Sequence, residues 1–159
     1  MAMKKQALGK GLGALLANNV ANDSNRNVLE VNISDVKNGD YDKVEAEIKA
    51  LREATGDKIL KVIIETCYLT KEEKIAMCKA VTNAKADYIK TSTGFGTGGA
   101  TLDDVILMRN NIGEDVKIKA AGGIRTKEDM EAFVEAGCSR LGTSSAVDIL
   151  VKQGSTGEY

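Results

Sequence analysis

From residue 59 onward, four short apolar runs recur at roughly 25–30-residue spacing, each followed by a segment of helical periodicity. That alternation predicts an α/β fold on a parallel sheet, because right-handed βαβ crossovers connect parallel strands. Within the runs, charged or polar residues share one face: Lys61 and Glu65, then Tyr88, Lys90 and Ser92, then Lys117 and Lys119. The opposite faces carry Leu60, Val62 and Ile64, then Ile89, then Val116 and Ile118. A doubly wound sheet buries both strand faces and needs nearly continuous apolar strands. One polar face and one helix-covered face instead fit the wall of a (β/α)8 barrel. A complete barrel takes eight strands and about 250 residues. Four units are present here, five if residues 28–33 form a strand, so the prediction is a partial TIM barrel, a half-barrel.

Residues 1–27 stand apart from the rest. They hold Lys4, Lys5, Lys10 and Arg26 against Asp23, and run through the Asn-rich stretch 18–25. This composition predicts a flexible or partly helical N-terminal tail ahead of a domain at 28–159. The segment Gly9-Lys10-Gly11-Leu12-Gly13 lacks the Gly-Lys-Ser/Thr ending of a P-loop, and no strand precedes it. Val44, Ile48 and Leu51 then predict a helix over 41–54. A strand is expected at 59–65, followed by a helix from about 71. Thr70 stands at its N-cap and Glu73 at the capping-box position. The strand at 86–93 leads through the glycine-rich turn 94–99 to a helix at 102–111. The strand at 116–121 leads through Gly122-Gly123 to a helix at 127–136. The last strand, 140–142, passes through Ser144-Ser145 into a helix at 146–151.

Composition removes whole classes of mechanism. The chain has 159 residues, 22 Lys+Arg against 23 Asp+Glu, three Cys, and no His, Pro or Trp. Its size fits one ordinary domain. A net charge of −1 gives no electrostatic case for nucleic acid or an anionic membrane as partner. No apolar run approaches the roughly 20 residues of a membrane span, and the run at 14–17 is too short for a secretory signal. A cytoplasmic location is the expectation. Without His there is no Ser-His-Asp system, no HExxH zinc site and no imidazole proton shuttle. Cys67, Cys78 and Cys138 are odd in number and unevenly spaced, which suggests neither a metal site nor a disulfide framework. They read as small buried hydrophobes in a reducing compartment. No metal or cofactor is expected. Chemistry must come from Lys, carboxylates, hydroxyls, Tyr or backbone amides.

Barrel sites lie at the C-terminal strand ends, where Lys90 and Lys119 face inward from consecutive strands. Neighbouring strands lie about 4.8 Å apart, so two ammonium groups there crowd each other and lower a lysine pKa. A neutral amine is what Schiff-base chemistry with a carbonyl requires. Pairing with a carboxylate such as Glu65, or reaching outward to solvent, is the plainer fate for both. Gly122-Gly123 and Gly142-Thr143-Ser144-Ser145 occupy the last two strand-to-helix loops, where barrels often build a phosphate cradle. Simple turn chemistry also favours Gly and Ser in such loops.

Four blocks together resemble deoxyribose-phosphate aldolase: Lys61-Val-Ile-Ile-Glu-Thr66, Tyr88-Ile-Lys-Thr-Ser-Thr-Gly-Phe95, Lys119-Ala-Ala-Gly-Gly-Ile-Arg-Thr126 and Gly142-Thr-Ser-Ser145. Order and spacing match, and the likeness covers roughly residues 32–159. The resemblance implies a metal-free class I aldolase, a lyase, cleaving 2-deoxy-D-ribose 5-phosphate to acetaldehyde and D-glyceraldehyde 3-phosphate. It implies that Lys90 forms the Schiff base and Lys119 depresses its pKa. Gly94, Gly122, Gly123, Gly142, Ser144 and Ser145 would hold the phosphate, and Tyr159 matches a terminal tyrosine that reaches back to the site. A frayed terminus is the plain alternative for Tyr159.

The departures are as informative. The family is a complete barrel, and this chain lacks its first three strands and the beginning of the fourth. Val28 stands where the family carries its catalytic aspartate. Segments 5–16 and 28–34 resemble the start of ParB-type chromosome-partitioning proteins, which implies a chimera joined near 31–37. Two outcomes are expected from this combination: an aldolase fragment of reduced turnover, or an inactive half-barrel scaffold. Free sheet edges invite self-association, so a homo-oligomer is expected.

Overall fold

A computed structural model describes residues 33–148, all within the unit Val31–Tyr159. The N-terminal tail, the glycine-rich segment 9–13, Val28 and Tyr159 lie outside the described residues. The elements are α1 (Ile33–Asn38), α2 (Tyr41–Thr55), β1 (Lys61–Ile63), a 3-10 turn (Thr66–Tyr68), α3 (Lys71–Asn83), β2 (Tyr88–Lys90), α4 (Leu102–Arg109), β3 (Lys117–Ala121), α5 (Lys127–Glu135) and β4 (Cys138–Gly142). The four strands are parallel, in the order β1-β2-β3-β4. This is the α/β half-barrel order, four strands of the eight that a closed barrel needs.

Ile33 does not close a strand; it opens α1. Val36, three residues on, is buried, so helical spacing wins over alternation here. Asp35, also buried, is held by the Lys43 ammonium at 2.9 Å. In α2 the expected stripe of Val44, Ile48 and Leu51 is the buried face. Arg52 of the same helix reaches Asp87 at 2.6 Å, and the Leu60 N–H donates to that carboxylate at 2.7 Å. One side chain thereby ties α2 to the entries of both β1 and β2. The capping box of α3 is present in full: the Glu73 N–H donates to the Thr70 hydroxyl, and the Thr70 N–H donates to the Glu73 carboxylate. Thr126 and Asp129 form a second such box at α5.

The ladders are shorter than the alternation suggests. β1 stops at Ile63 because Glu65 turns into the left-handed region, φ 49°. Backbone bonding nevertheless continues, with the Ile64 N–H donating to the Lys90 carbonyl at 3.0 Å and the Thr66 N–H to Thr91 at 2.9 Å. β4 starts earlier than expected. A register shift pairs Ile118 with Cys138 but Lys119 with Arg140, so Ser139 is the extra residue of a bulge. The bulge changes the phase of β4 and brings Arg140 onto the lysine face.

Val62, Ile89, Ile118 and Cys138 form one row across the sheet. This row packs with Val44 and Ile48 of α2, Met77 and Val81 of α3, Val105 and Met108 of α4 and Phe133 of α5 in a single apolar core. Tyr88 is buried too but is not part of that core, which places it on the opposite face. Cys78 and Cys138 behave as hydrophobes: burial pushes their thiols up to about 12 and about 11.

Truncation at the centre of this core should cost more than loss of a cap. Ile48→Ala is expected to destabilise by about 2–5 kcal/mol, and Thr70→Ala by about 0.5–2 kcal/mol. Urea denaturation of the two variants checks the order.

Candidate active site

The register sets the site. Lys90, the last residue of β2, pairs directly with Lys119 in β3, and Lys119 pairs with Arg140 in β4. Two residues earlier in each strand, Lys61, Tyr88 and Lys117 form a second row on the same face. The Tyr88 ring takes two cations: Lys61 Nζ lies 5.4 Å from its centroid and Arg140 Cζ 4.7 Å. Such contacts contribute about 0.5–2 kcal/mol each. They also carry two charged groups across the ring and keep it from solvent.

Lys90 is half-buried, and burial holds its amine below the ordinary lysine pKa. The ammonium groups of Lys119 and then Lys61 push the same way, against a smaller opposing pull from Glu65. Lys61 is lowered as well, by burial first and then by Lys119 and Arg140. The plainer fate, in which Glu65 neutralises the pair, does not occur. The Glu65 carboxylate instead accepts the Thr93 N–H at 2.9 Å and the Thr93 hydroxyl. Among the described residues neither Lys90 nor Lys119 forms an ion pair.

A cavity of about 520 Å³ opens above these lysines at the C-terminal strand ends. It is lined by Lys90 and Lys119 together with Gly94, Gly122, Gly123, Gly142, Ser144 and Ser145. Every site residue expected from the sequence within 33–148 is therefore brought to one place. Thr93, Ala121, Ile124, Arg125 and Thr143 also line it and were not singled out. Arg125 carried a usable signal, a cation two positions after the glycine pair. Thr143 is positional: its hydroxyl donates to the Ile124 carbonyl at 2.6 Å and accepts the Ser145 N–H at 3.1 Å, joining the last two loops.

Glycine is required here by close approach. A Cβ on Gly99 would lie 2.5 Å from the Gly122 carbonyl carbon and 2.8 Å from the Gly123 nitrogen. The loop after β2 therefore seats directly on the loop after β3, and the Ala100 N–H donates to the Ala121 and Gly122 carbonyls, both at 3.1 Å. Gly142 leaves room for the Lys119 stem, since a Cβ there would stand 3.4 Å from Lys119 Cε. Just ahead of α5, Asp129 accepts from the Arg125 N–H at 2.9 Å and the Thr126 N–H at 3.0 Å, which holds its carboxyl below the usual range. The Gly122-Gly123 and Gly142–Ser145 loops and Arg125 line the cavity.

Two amines thus stand on adjacent parallel strands, under loops rich in glycine and serine. No family model matches the chain. It is similar to the deoxyribose-phosphate aldolase of Clostridium botulinum (strain Eklund 17B / Type B), 66% identical over 131 residues, which is 82% of this chain and 59% of that relative. Among solved structures it is similar to "QR15, an Aldolase", with TM-score 0.72 and 40% identity over 80% of this chain and 59% of that one. It is also similar to the tetrameric deoxyribose phosphate aldolase of Aeropyrum pernix, with TM-score 0.59 and 30% identity over 74% and 50% of the two chains. Over most of its length the chain is homologous to deoxyribose-phosphate aldolases. The chain spans about 59% of the length of that Clostridium botulinum relative. These relatives lend no support to a ParB-type start, which falls on residues outside those described. Among the described residues no helix is long and apolar enough to cross a membrane.

The loop-on-loop contact gives a direct expectation. Gly99→Ala forces backbone apart and should destabilise by about 1–3 kcal/mol. Gly142→Ala, whose nearest neighbours are the Ala121 Cβ at 3.1 Å, the Lys119 Cε at 3.4 Å and the Ala121 Cα at 3.6 Å, should cost less. Shifts in the urea midpoint measure both.

Proposed function

We propose that this chain carries the Schiff-base half of a class I aldolase acting on 2-deoxy-D-ribose 5-phosphate, with acetaldehyde and D-glyceraldehyde 3-phosphate as products. The observation that carries the reading is the register pair Lys90–Lys119 lining one cavity, where burial first and the Lys119 charge next hold the Lys90 amine below its ordinary pKa. The homology to deoxyribose-phosphate aldolases supports it.

In this reading the neutral Lys90 amine adds to the C1 aldehyde, and loss of water gives an iminium ion. The C3 hydroxyl gives up its proton, the C2–C3 bond breaks, and its electron pair moves into the iminium as an enamine. C3 leaves as the aldehyde of the phosphorylated three-carbon product. Protonation of the enamine at C2 and hydrolysis then release acetaldehyde and restore Lys90. Lys119 acts by its charge, adding to burial in lowering the Lys90 pKa. Gly94, Gly122, Gly123, Gly142, Ser144 and Ser145 hold the phosphate through N–H and hydroxyl donors, and Tyr159 serves as the terminal tyrosine that returns to the site. The base for the C3 hydroxyl is the weak point, because Val28 occupies the position that the family gives to aspartate. Losing one proton-transfer group lowers turnover by about 10²–10⁴-fold. A cytoplasmic setting and self-association belong to the same reading; the Aeropyrum pernix relative is described as tetrameric.

A second reading, a half-barrel scaffold without turnover, is favoured by one observation: the match covers only 59% of the relative. Borohydride reduction in the presence of acetaldehyde separates the two. The first reading expects an ethyl adduct mapped to Lys90, lost in Lys90→Met. Lys119→Met removes the repelling charge, so the Lys90 pKa rises and the pH at which the adduct forms moves upward. An adduct spread evenly over surface lysines, or none at Lys90, overturns the aldolase reading.

A further inference from the structure

Just past β1 the chain holds a strained residue. Glu65 has φ 49°, in the left-handed region that side chains other than glycine rarely adopt. Such strain persists only where the surrounding structure fixes it, and it gathers at functional sites. The Glu65 carboxylate engages the segment that follows β2. One oxygen, Oε2, accepts both the Thr93 N–H at 2.9 Å and the Thr93 hydroxyl. That hydroxyl in turn accepts the Phe95 N–H at 3.1 Å. The loop then lies against the other oxygen: a Cβ on Gly96 would stand 2.8 Å from Glu65 Oε1 and 2.9 Å from Cys67 Sγ. At its far end the same loop rests on Gly122 through Gly99. Thr93, and Gly94 between the two held amides, line the cavity with Lys90.

We propose that Glu65 is a positioning residue for the substrate's phosphate: through Thr93 it fixes the 93–99 loop as one wall of the cavity, and it takes no part in the chemistry at Lys90. Its charge is not the reason for its place. A carboxylate repels an anion bound nearby. It also pulls the Lys90 pKa upward, against the burial and the cations that lower it. Both effects oppose the proposed reaction. What stands in favour of Glu65 is the pair of donors that it binds with one oxygen. Charge-assisted bonds of this kind are stronger than neutral ones, and two of them hold Thr93 in place before a ligand arrives. A wall already set spares the ligand the ordering of a glycine-rich loop. Glycine at position 96 serves the same end, because a Cβ there would push the carboxylate off Thr93.

This role rests on the aldolase reading for the identity of the ligand, so one of the measurements that test it needs no ligand. Glu65→Gln and Glu65→Ala are made in the full 159-residue chain, with circular dichroism confirming that each folds. Gln keeps an oxygen in the place of Oε2 and loses the charge, whereas Ala loses both. Inorganic phosphate, titrated by calorimetry, should bind Glu65→Ala about tenfold more weakly than the parent chain, as for one lost charge-assisted hydrogen bond. Glu65→Gln should bind it no more weakly than the parent. Repulsion alone gives the opposite order, tighter binding by both variants. Amide exchange across residues 93–99 should quicken in Glu65→Ala and keep the parent rate in Glu65→Gln. Borohydride with acetaldehyde, which carries no phosphate, should still label Lys90 in both. Lys119 and Lys61, the other charges acting on Lys90, are unchanged, so the pH at which the adduct forms should fall alike in the two variants. Phosphate binding by Glu65→Ala as tight as the parent's, equal weakening in Glu65→Gln, unchanged exchange at 93–99, or an adduct lost from Lys90 in Glu65→Ala alone would overturn the proposal. A parent chain that takes neither phosphate nor acetaldehyde overturns the aldolase reading instead, and exchange at 93–99 still decides whether Glu65 sets the loop.

Discussion

Repulsion between amines held in register across parallel strands is the constraint on which the site depends. Lys90 and Lys119 cannot move apart, because the row behind them, Val62, Ile89, Ile118 and Cys138, is locked into the helix-backed core. The apolar face thus sustains an electrostatic arrangement that the polar face would not keep by itself. Burial, and after it the neighbouring ammonium groups of Lys119 and Lys61, lower the pKa of Lys90. Glu65 is the residue best placed to cancel this effect, and Thr93 keeps it occupied.

The loops above the lysines follow a different physics. Here the determinants are missing side chains. Gly99 allows one loop backbone to lie on another, and Gly142 leaves space for the Lys119 stem. Thr143 then joins the loops after β3 and β4 through two hydrogen bonds from a single hydroxyl.

Half a barrel is an unbalanced object. Its helix-facing side is a finished core in which Val44, Ile48, Val81, Ile89, Val105 and Met108 are buried. Its other side presents cations, and among the described residues the outer edges of β1 and β4 pair with no other strand. Stability and chemistry therefore make opposite demands. The buried side is sufficient to order the strands, whereas the open side keeps more positive charge than the described residues can neutralise. Tyr88 eases part of this strain by accepting Lys61 and Arg140 on its ring.

Much of this was legible in the residues themselves. Alternation in strands and period in helices are local properties, so the order of elements, the polar face and the Thr70–Glu73 capping box follow from neighbours in sequence. So does the chemistry that the absence of His excludes. Strand ends did not follow, because β1 stops where Glu65 turns left-handed and the pairing of β4 shifts at Ser139; both are settled between strands. The placing of Arg140 on the lysine face, the double cation contact on Tyr88 and the engagement of Glu65 by Thr93 belong to the same class. Sequence alone determined which residues could act, since periodicity and side-chain chemistry are carried by each segment. Tertiary structure decided which charges go unpaired, because that depends on distances between segments far apart in the chain.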